Sequence, residues 1–318
     1  MPKKLFAVVL VLVMVLSVTA CAGEKAEFSL DDCAAMLLES IPEPAYGSVG
    51  GEWAVLGLAR WGGEVPREWF DRYYEQLEAY VVGCEGVLSD RKYTEYSRVI
   101  LAVTAIGRDP TNVGGFNMLQ PLADFEQTVF QGINGPIFAL LALDSGKYEI
   151  PENITDNTQA TRERYVDYII NAQLPEGGWS LMGGEAEIDL TAMALQALAK
   201  YQDRKDVAGA VEKGIAILSD RQNKNGGYQF STTEQASCES VAQVIVALAE
   251  LGISLEDARF VKNGKTLLDG ILQFRQADGG FSHLIDGETD LLATEQAFYA
   301  LVAAKRLAEG EASLYNMK

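Results

Sequence analysis

Histidine is almost absent from this chain: His283 stands alone among 318 residues. Cysteine is sparse too, at positions 21, 33, 84 and 238, and no two share a Cys-x-x-Cys spacing. A zinc site built from soft ligands is therefore not expected. Positive charge is short, with 26 Lys and Arg against 45 Asp and Glu and a formal charge of −19. Such a surface repels phosphate backbones and anionic headgroups, so neither nucleic acid nor a basic membrane-binding face fits. Strand signals are weak, and any sheet should be minor. No Walker or Ser-His-Asp pattern is present, and no cofactor is called for.

What is present is apolar and repetitive. Hydrophobic residues make up 48% of the chain, enough for one large core. At the N-terminus, Lys3 and Lys4 precede the apolar run Leu5–Leu16, which is too short to span a bilayer comfortably but suits a signal peptide. The small residues of "SVTAC" then lead to Cys21 and resemble the lipobox of bacterial lipoproteins. That resemblance implies a signal peptide over 1–20, a lipid on Cys21, a short tether over 21–30 and a single domain over 31–318. The expected location is the extracytoplasmic face of the cell membrane. Among Cys33, Cys84 and Cys238, export permits one disulfide in any of three pairings.

Three segments share one pattern: an amphipathic helix ending in Gln, a Gly-Gly turn, an aromatic, and a second helix. They contain Gln173-x-x-x-Gly177-Gly178-Trp179, Gln222-x-x-x-Gly226-Gly227-Tyr228 and Gln276-x-x-Gly279-Gly280-Phe281. Paired Gly permits the positive φ that ends a helix and reverses the chain. The helices after these turns are apolar almost all round, as inner helices are, whereas those before them carry charge on one face. Upstream the turns degenerate but the inner pattern persists, with starts at 52, 95, 134, 189, 239 and 294. Each interval fits one helical hairpin, which predicts an all-α protein of about six hairpins, either a closed ring or an open superhelix.

The Gln…Gly-Gly-aromatic turns resemble prenyltransferase and squalene-oxidase repeats. The resemblance implies the six-hairpin α/α toroid of the terpenoid-cyclase and prenyltransferase superfamily. Its relatives include squalene–hopene cyclases, prenyltransferase β-subunits, thioester complement proteins and the cobalamin carriers. In squalene–hopene cyclases an Asp-x-Asp-Asp-Thr-Ala motif protonates an alkene, and this chain reads Glu187-Ile188-Asp189-Leu190-Thr191-Ala192. Asp189 matches the proton donor, but Leu190 replaces an acid of the cluster. Glu187 and Asp189 are thus candidate catalytic acids, with capping of the helix start as the preferred role. The zinc ligands, the Asp-Asp-x-x-Asp box and the thioester motif of the other relatives are missing.

The loops entering the inner helices should form an acidic and aromatic mouth. Glu185, Glu187, Asp189, Glu234, Glu239, Asp286, Glu288 and Asp290 supply the acids; Trp53, Tyr96, Trp179, Tyr228, Phe230 and Phe281 supply flat apolar surface. From these, Trp179, Glu187, Asp189, Tyr228, Glu239, Phe281 and Asp290 are the expected ligand contacts. The expected function is binding without chemistry, of a large amphipathic molecule or a glycan, with a corrinoid the first choice implied by the resemblance. The alternatives are a terpene-cyclase-like enzyme using Asp189, a glycan-active enzyme and an adhesive surface module. Oligomeric state is not encoded in any pattern found.

Overall fold

The computed structural model describes residues 28–229 and 235–318. Cys21 with its flanking signal-like segment, and Phe230 and Glu234 of the expected mouth, lie outside the described residues. Within them, strand content is limited to isolated bridges such as Ser237–Leu284 and Ser282–Thr289.

Twelve α-helices among the described residues alternate between two layers. The outer ones are α1 (Leu30–Ser40), α3 (Arg67–Gly83), α5 (Phe125–Val129), α7 (Arg162–Asn171), α9 (Lys205–Arg221) and α11 (Leu267–Ile271). The inner ones are α2 (Glu52–Trp61), α4 (Thr94–Ala105), α6 (Asn134–Ser145), α8 (Ile188–Leu198), α10 (Cys238–Glu250) and α12 (Leu291–Ala308). Observed inner starts at 52, 94, 134, 188, 238 and 291 track the periodic pattern closely. In α9 the buried positions Val207, Ala210, Val211, Gly214, Ile215 and Leu218 recur at three- and four-residue spacing, leaving a charged face outward. In α10 eleven residues from Cys238 to Ala249 are buried, because other helices surround it. Each inner helix packs on the next, and α12 packs on α2. The ring is closed, which resolves the choice that periodicity left open.

The three repeat turns connect an outer to an inner helix, as the pattern requires. Trp179, Tyr228 and Phe281 are each fully buried. Trp179 donates its indole N–H to the Ile169 carbonyl at 2.7 Å, and Tyr228 its hydroxyl to Leu218 at 2.9 Å, so each aromatic satisfies a late carbonyl of the helix before it. On the other side, the Thr191 hydroxyl accepts from the Trp179 N–H and Thr294 accepts from Phe281. Turn and following helix are thus pinned by one Thr side chain; Val241 takes that place in α10.

Several caps differ from expectation. Ser29, Thr161, Ser237, Thr266 and Asp290 accept from first-turn amides of α1, α7, α10, α11 and α12. Glu187 occupies the cap position of α8 without capping it, and Asp189 lies inside the first turn. The disulfide that export allowed is not formed: Cys33, Cys84 and Cys238 are free thiols. Burial pushes the Cys33 thiol up to about 12 and Cys238 well above its ordinary value, so both stay protonated and unreactive.

The paired glycines are not equivalent. Gly226 has φ +85°, and a Cβ there would stand 2.1 Å from the Thr266 carbonyl oxygen. Gly227 has no positive φ and would meet nothing closer than 3.4 Å. Gly226→Ala should therefore destabilise the fold by about 1–3 kcal/mol through strain and displaced backbone, whereas Gly227→Ala should stay within about 0.5 kcal/mol of wild type. Urea unfolding of the two variants reads the difference, and equal losses would refute the assigned turn geometry.

Candidate active site in the centre of the ring

All six inner helices contribute to one central cavity of about 300 Å³. Its wall follows a simple rule. Thr94 and Arg98, Asn134 and Phe138, Asp189 and Met193, and Glu239 and Gln243 are four pairs separated by one helical turn, on α4, α6, α8 and α10. Residues four apart share a face, so each helix presents two successive side chains inward. Trp53 from α2, Gln296 and Tyr299 from α12, Gln131 before α6 and Tyr315 near the C-terminus complete the lining.

The polar members are held in fixed places. Arg98 pairs with Glu52 at 2.8 Å and with Glu95, while its guanidinium lies 5.8 Å from the centre of the Tyr46 ring. Glu52 also accepts from Tyr73 and from the Gly47 N–H. Arg98 is thereby neutralised by two carboxylates and brings no surplus positive charge. Gln243 donates to Gln296 at 2.9 Å and to the Tyr299 hydroxyl at 2.6 Å, and Gln196 donates to Gln243. This chain of amides links α8, α10 and α12. Glu239 is bonded to His283 Nδ1 at 2.8 Å.

Asp189 differs from the other wall residues. Its Oδ1 is buried without a hydrogen-bond partner. Burial raises its pKa, the bond to Ser240 opposes the rise and the charge of Glu187 adds to it. Relative to a free carboxyl, Asp189 is therefore shifted toward its protonated form, and its unpartnered Oδ1 leaves one hydrogen-bonding position open. The raised pKa keeps the proton on Asp189 more firmly and makes it a weaker donor than a free carboxyl.

Of the residues that the sequence nominated, Asp189, Glu239 and Trp53 reach the cavity. Glu187 turns back to accept from the Ser180 hydroxyl at 2.7 Å and the Leu181 N–H at 3.0 Å, so it braces a loop. Asp290 caps α12 through the Ala293 N–H. Trp179, Tyr228 and Phe281 are corrected from ligand contacts to buried turn aromatics. Tyr96 is buried as well, its hydroxyl accepting from Leu88, and Glu185, Asp286 and Glu288 are exposed on outer loops. Arg98, Gln243 and Gln296 were not nominated, although each is a polar interruption in an apolar inner helix. That interruption is the signal that could have found them.

Comparison with known proteins places the architecture. The prenyltransferase alpha-alpha toroid domain model matches residues 131–211 and 202–313. Drimenyl diphosphate synthase of Streptomyces showdoensis is 25% identical over 146 residues, 45% of this chain and 27% of that enzyme. The matched stretch thus spans about a quarter of that relative's length. Among solved structures, a type II terpene cyclase from Scytonema in complex with geranylgeranyl dihydroxybenzoate aligns over 87% of this chain and 97% of its own, at 15% identity and TM-score 0.55. Candida albicans protein geranylgeranyltransferase-I complexed with GGPP aligns over 88% and 92%, at 11% identity and TM-score 0.57. At these identities the likeness carries the fold alone.

Behind the cavity wall, Glu295 of α12 is fully buried and accepts from the Gly50 N–H at 2.7 Å, with Oε2 unpartnered. Burial lifts its pKa from 4.5 to about 8, with Glu52 and Asp290 adding to the rise. The folded state then holds this proton more tightly than the unfolded chain does. Its contribution to stability is full below the ordinary carboxylate pKa of 4.5 and is lost as pH rises through about 8. Chemical unfolding at about pH 5 and about pH 9 should show the loss, and Glu295→Gln should flatten it. An unchanged pH slope in that variant would refute the assignment.

Proposed function

Because the chain belongs to the prenyltransferase alpha-alpha toroid family, we propose that it binds one small, uncharged amphipathic molecule in its central cavity and breaks no bond in it. The observation that carries this reading is the mixed wall. Trp53, Phe138 and Met193 offer apolar surface, while Asp189, Gln243, Gln296 and Tyr299 offer convergent hydrogen-bonding groups. A volume of about 300 Å³ lies at the small end of ligand-sized cavities. A corrinoid is far larger than this and would have to rest outside the ring, so a smaller occupant is preferred.

Charge narrows the class. A diphosphate head would face Asp189 and Glu239 with Arg98 as the one cation among the described wall residues, and Arg98 already serves Glu52 and Glu95. No cluster of three or more His, Cys, Asp or Glu suited to a metal occurs among the described residues. A hydroxyl-bearing terpenoid, its hydroxyl hydrogen-bonded to the unpartnered Asp189 Oδ1, satisfies that atom without bringing a further charge. The two structural neighbours were captured with prenyl compounds that likewise join an apolar body to a polar end.

The reading without chemistry is supported by the surroundings of the acid. Leu190 replaces a carboxyl beside Asp189, and burial makes Asp189 a weak acid. Both changes work against alkene protonation. The protein is also proposed to be exported and tethered by a lipid on Cys21, supported by the lipobox-like "VTAC".

Isothermal titration with farnesol tests the ligand class. Asp189→Leu should weaken binding by about 1–3 kcal/mol, because the ligand hydroxyl loses its buried partner, while Asp189→Asn keeps a hydrogen-bonding group there and should bind nearly as wild type. Product analysis after incubation with squalene and shorter polyprenyl substrates is the opposing arm. Cyclised product that disappears in Asp189→Asn would replace this reading with a cyclase.

The tether has its own test. Cys21→Ser should release the protein from membranes or block its processing, and wild-type attachment should resist high salt because acyl chains hold it. Unchanged detergent partitioning of the variant would exclude the anchor.

A further inference from the structure

The segment 312–317 lies across the end of the ring opposite Asp189, held there by a set of hydrogen bonds. Arg60, in the last turn of α2, donates to the carbonyls of Ser313, Leu314 and Asn316 at 2.9 to 3.1 Å. Glu250, at the end of α10, accepts from the Ser313 hydroxyl at 2.7 Å and from the Tyr315 N–H at 3.2 Å. The Met317 N–H donates to the carbonyl of Ser145, at the end of α6. One strap thus ties the C-terminal ends of three alternate inner helices. Those ends carry unpaired carbonyls and the negative pole of the helix dipole, which suit donors such as backbone N–H and guanidinium.

The strap does more than hold helix ends. Leu314 is fully buried and Tyr315 is 2% exposed. Tyr315 also lines the central cavity, beneath residues contributed by the first two turns of the inner helices. We propose that the strap is a plug and Tyr315 the floor of the ligand site. It converts the hole through the ring into a cup with a single opening, and it sets the length of ligand that the cup accepts. This rests on the central-cavity reading of the ligand above.

Without the plug, a closed ring of six helices would leave its axis open to water at both ends. Tyr315 brings the bulk of an aromatic side chain to the floor, so it limits how far the tail of a molecule whose oxygen sits near Asp189 can extend. Tyr315 is therefore a specificity-determining residue that need not touch the polar end. Charge is settled at the far side of the strap: the Lys318 ammonium stands 4.7 Å from the centre of the Tyr148 ring, and Arg306 donates to the Ala312 carbonyl at 2.7 Å.

Two measurements test the plug, one with ligand and one without. Native mass spectrometry of the full chain with geraniol, farnesol and geranylgeraniol should show a length cut-off in wild type. In Tyr315→Ala the cut-off should move up by one isoprene unit, with an affinity gain of at least about ten-fold for the longer alcohol. Tyr315→Phe should keep the wild-type cut-off, and Arg60→Gln, which frees the strap, should move it as Tyr315→Ala does. An identical cut-off in all four proteins would overturn the proposal. If none of them retains any of the alcohols, the ligand class fails and the second measurement decides the plug alone. There Met193→Cys places a thiol on the cavity wall, and its rate of modification by a bulky maleimide is compared with and without Tyr315→Ala. Faster modification in the double variant supports a floor, and equal rates overturn it.

Discussion

Gly57 of α2 faces Phe298 of α12 so closely that a Cβ would stand 2.9 Å from a ring carbon. This is the seam where the last inner helix meets the first, and the central cavity depends on it. Around the seam, Trp53 packs on Tyr299 with ring centres 5.8 Å apart, and Trp61 on Phe298 at 6.1 Å. Gly50 donates to Glu295 across the same junction. A residue without a side chain lets two helices approach, and aromatics on both sides fill what the approach leaves. An open superhelix would expose the apolar flanks of α2 and α12, so closure removes two edges at once.

Closure also explains how polar groups come to stand inside. Six helices that are apolar almost all round bury most of their surface against neighbours, yet each still turns a narrow face to the axis. On that face a side chain meets chiefly the side chains of other inner helices, with Gln131, His283 and Tyr315 joining from the connecting segments. Arg98 persists there because Glu52 and Glu95 surround it, and Gln243 because Gln196, Gln296 and Tyr299 do. Asp189 lacks a partner for Oδ1, and an unpaired buried carboxyl is costly unless it keeps its proton or meets a ligand. The satisfied members of the wall thus mark out the unsatisfied one.

The fold was legible because its signals are local and repeated. A Gly-Gly turn, an aromatic and an apolar helix recur, and the starts of all six inner helices could be read within a few residues. The site was less legible, for a geometric reason. Glu187 and Asp189 are two residues apart, and their side chains leave the helix start in different directions, one toward the Ser180 loop and one toward the axis. Composition marks both as acids at a helix start and cannot assign the directions. Trp179, Tyr228 and Phe281 misled for a related reason: a flat residue beside a loop is as well suited to filling a turn as to stacking on a ligand. Only the carbonyls that Trp179 and Tyr228 reach, and the burial of all three, separate the roles.

The two ends of the ring are built on different physics, and this asymmetry orders the site. At the N-terminal ends of the inner helices, first-turn side chains such as Asp189 and Glu239 face the axis, where helix dipoles favour negative charge or strong acceptors. At the C-terminal ends, backbone carbonyls need donors: the Met317 N–H donates to Ser145 and Arg306 to the Arg60 carbonyl, while Arg60 itself holds carbonyls of the 312–317 strap. A ligand entering between such ends meets acids first and the Tyr315 ring last. One turn deeper than these acids stand Arg98 and Gln243 beside Phe138 and Met193, so polar and apolar groups are mixed along the axis. The acids stand at one end of the cavity and the strap at the other, so the two ends offer a bound molecule different partners.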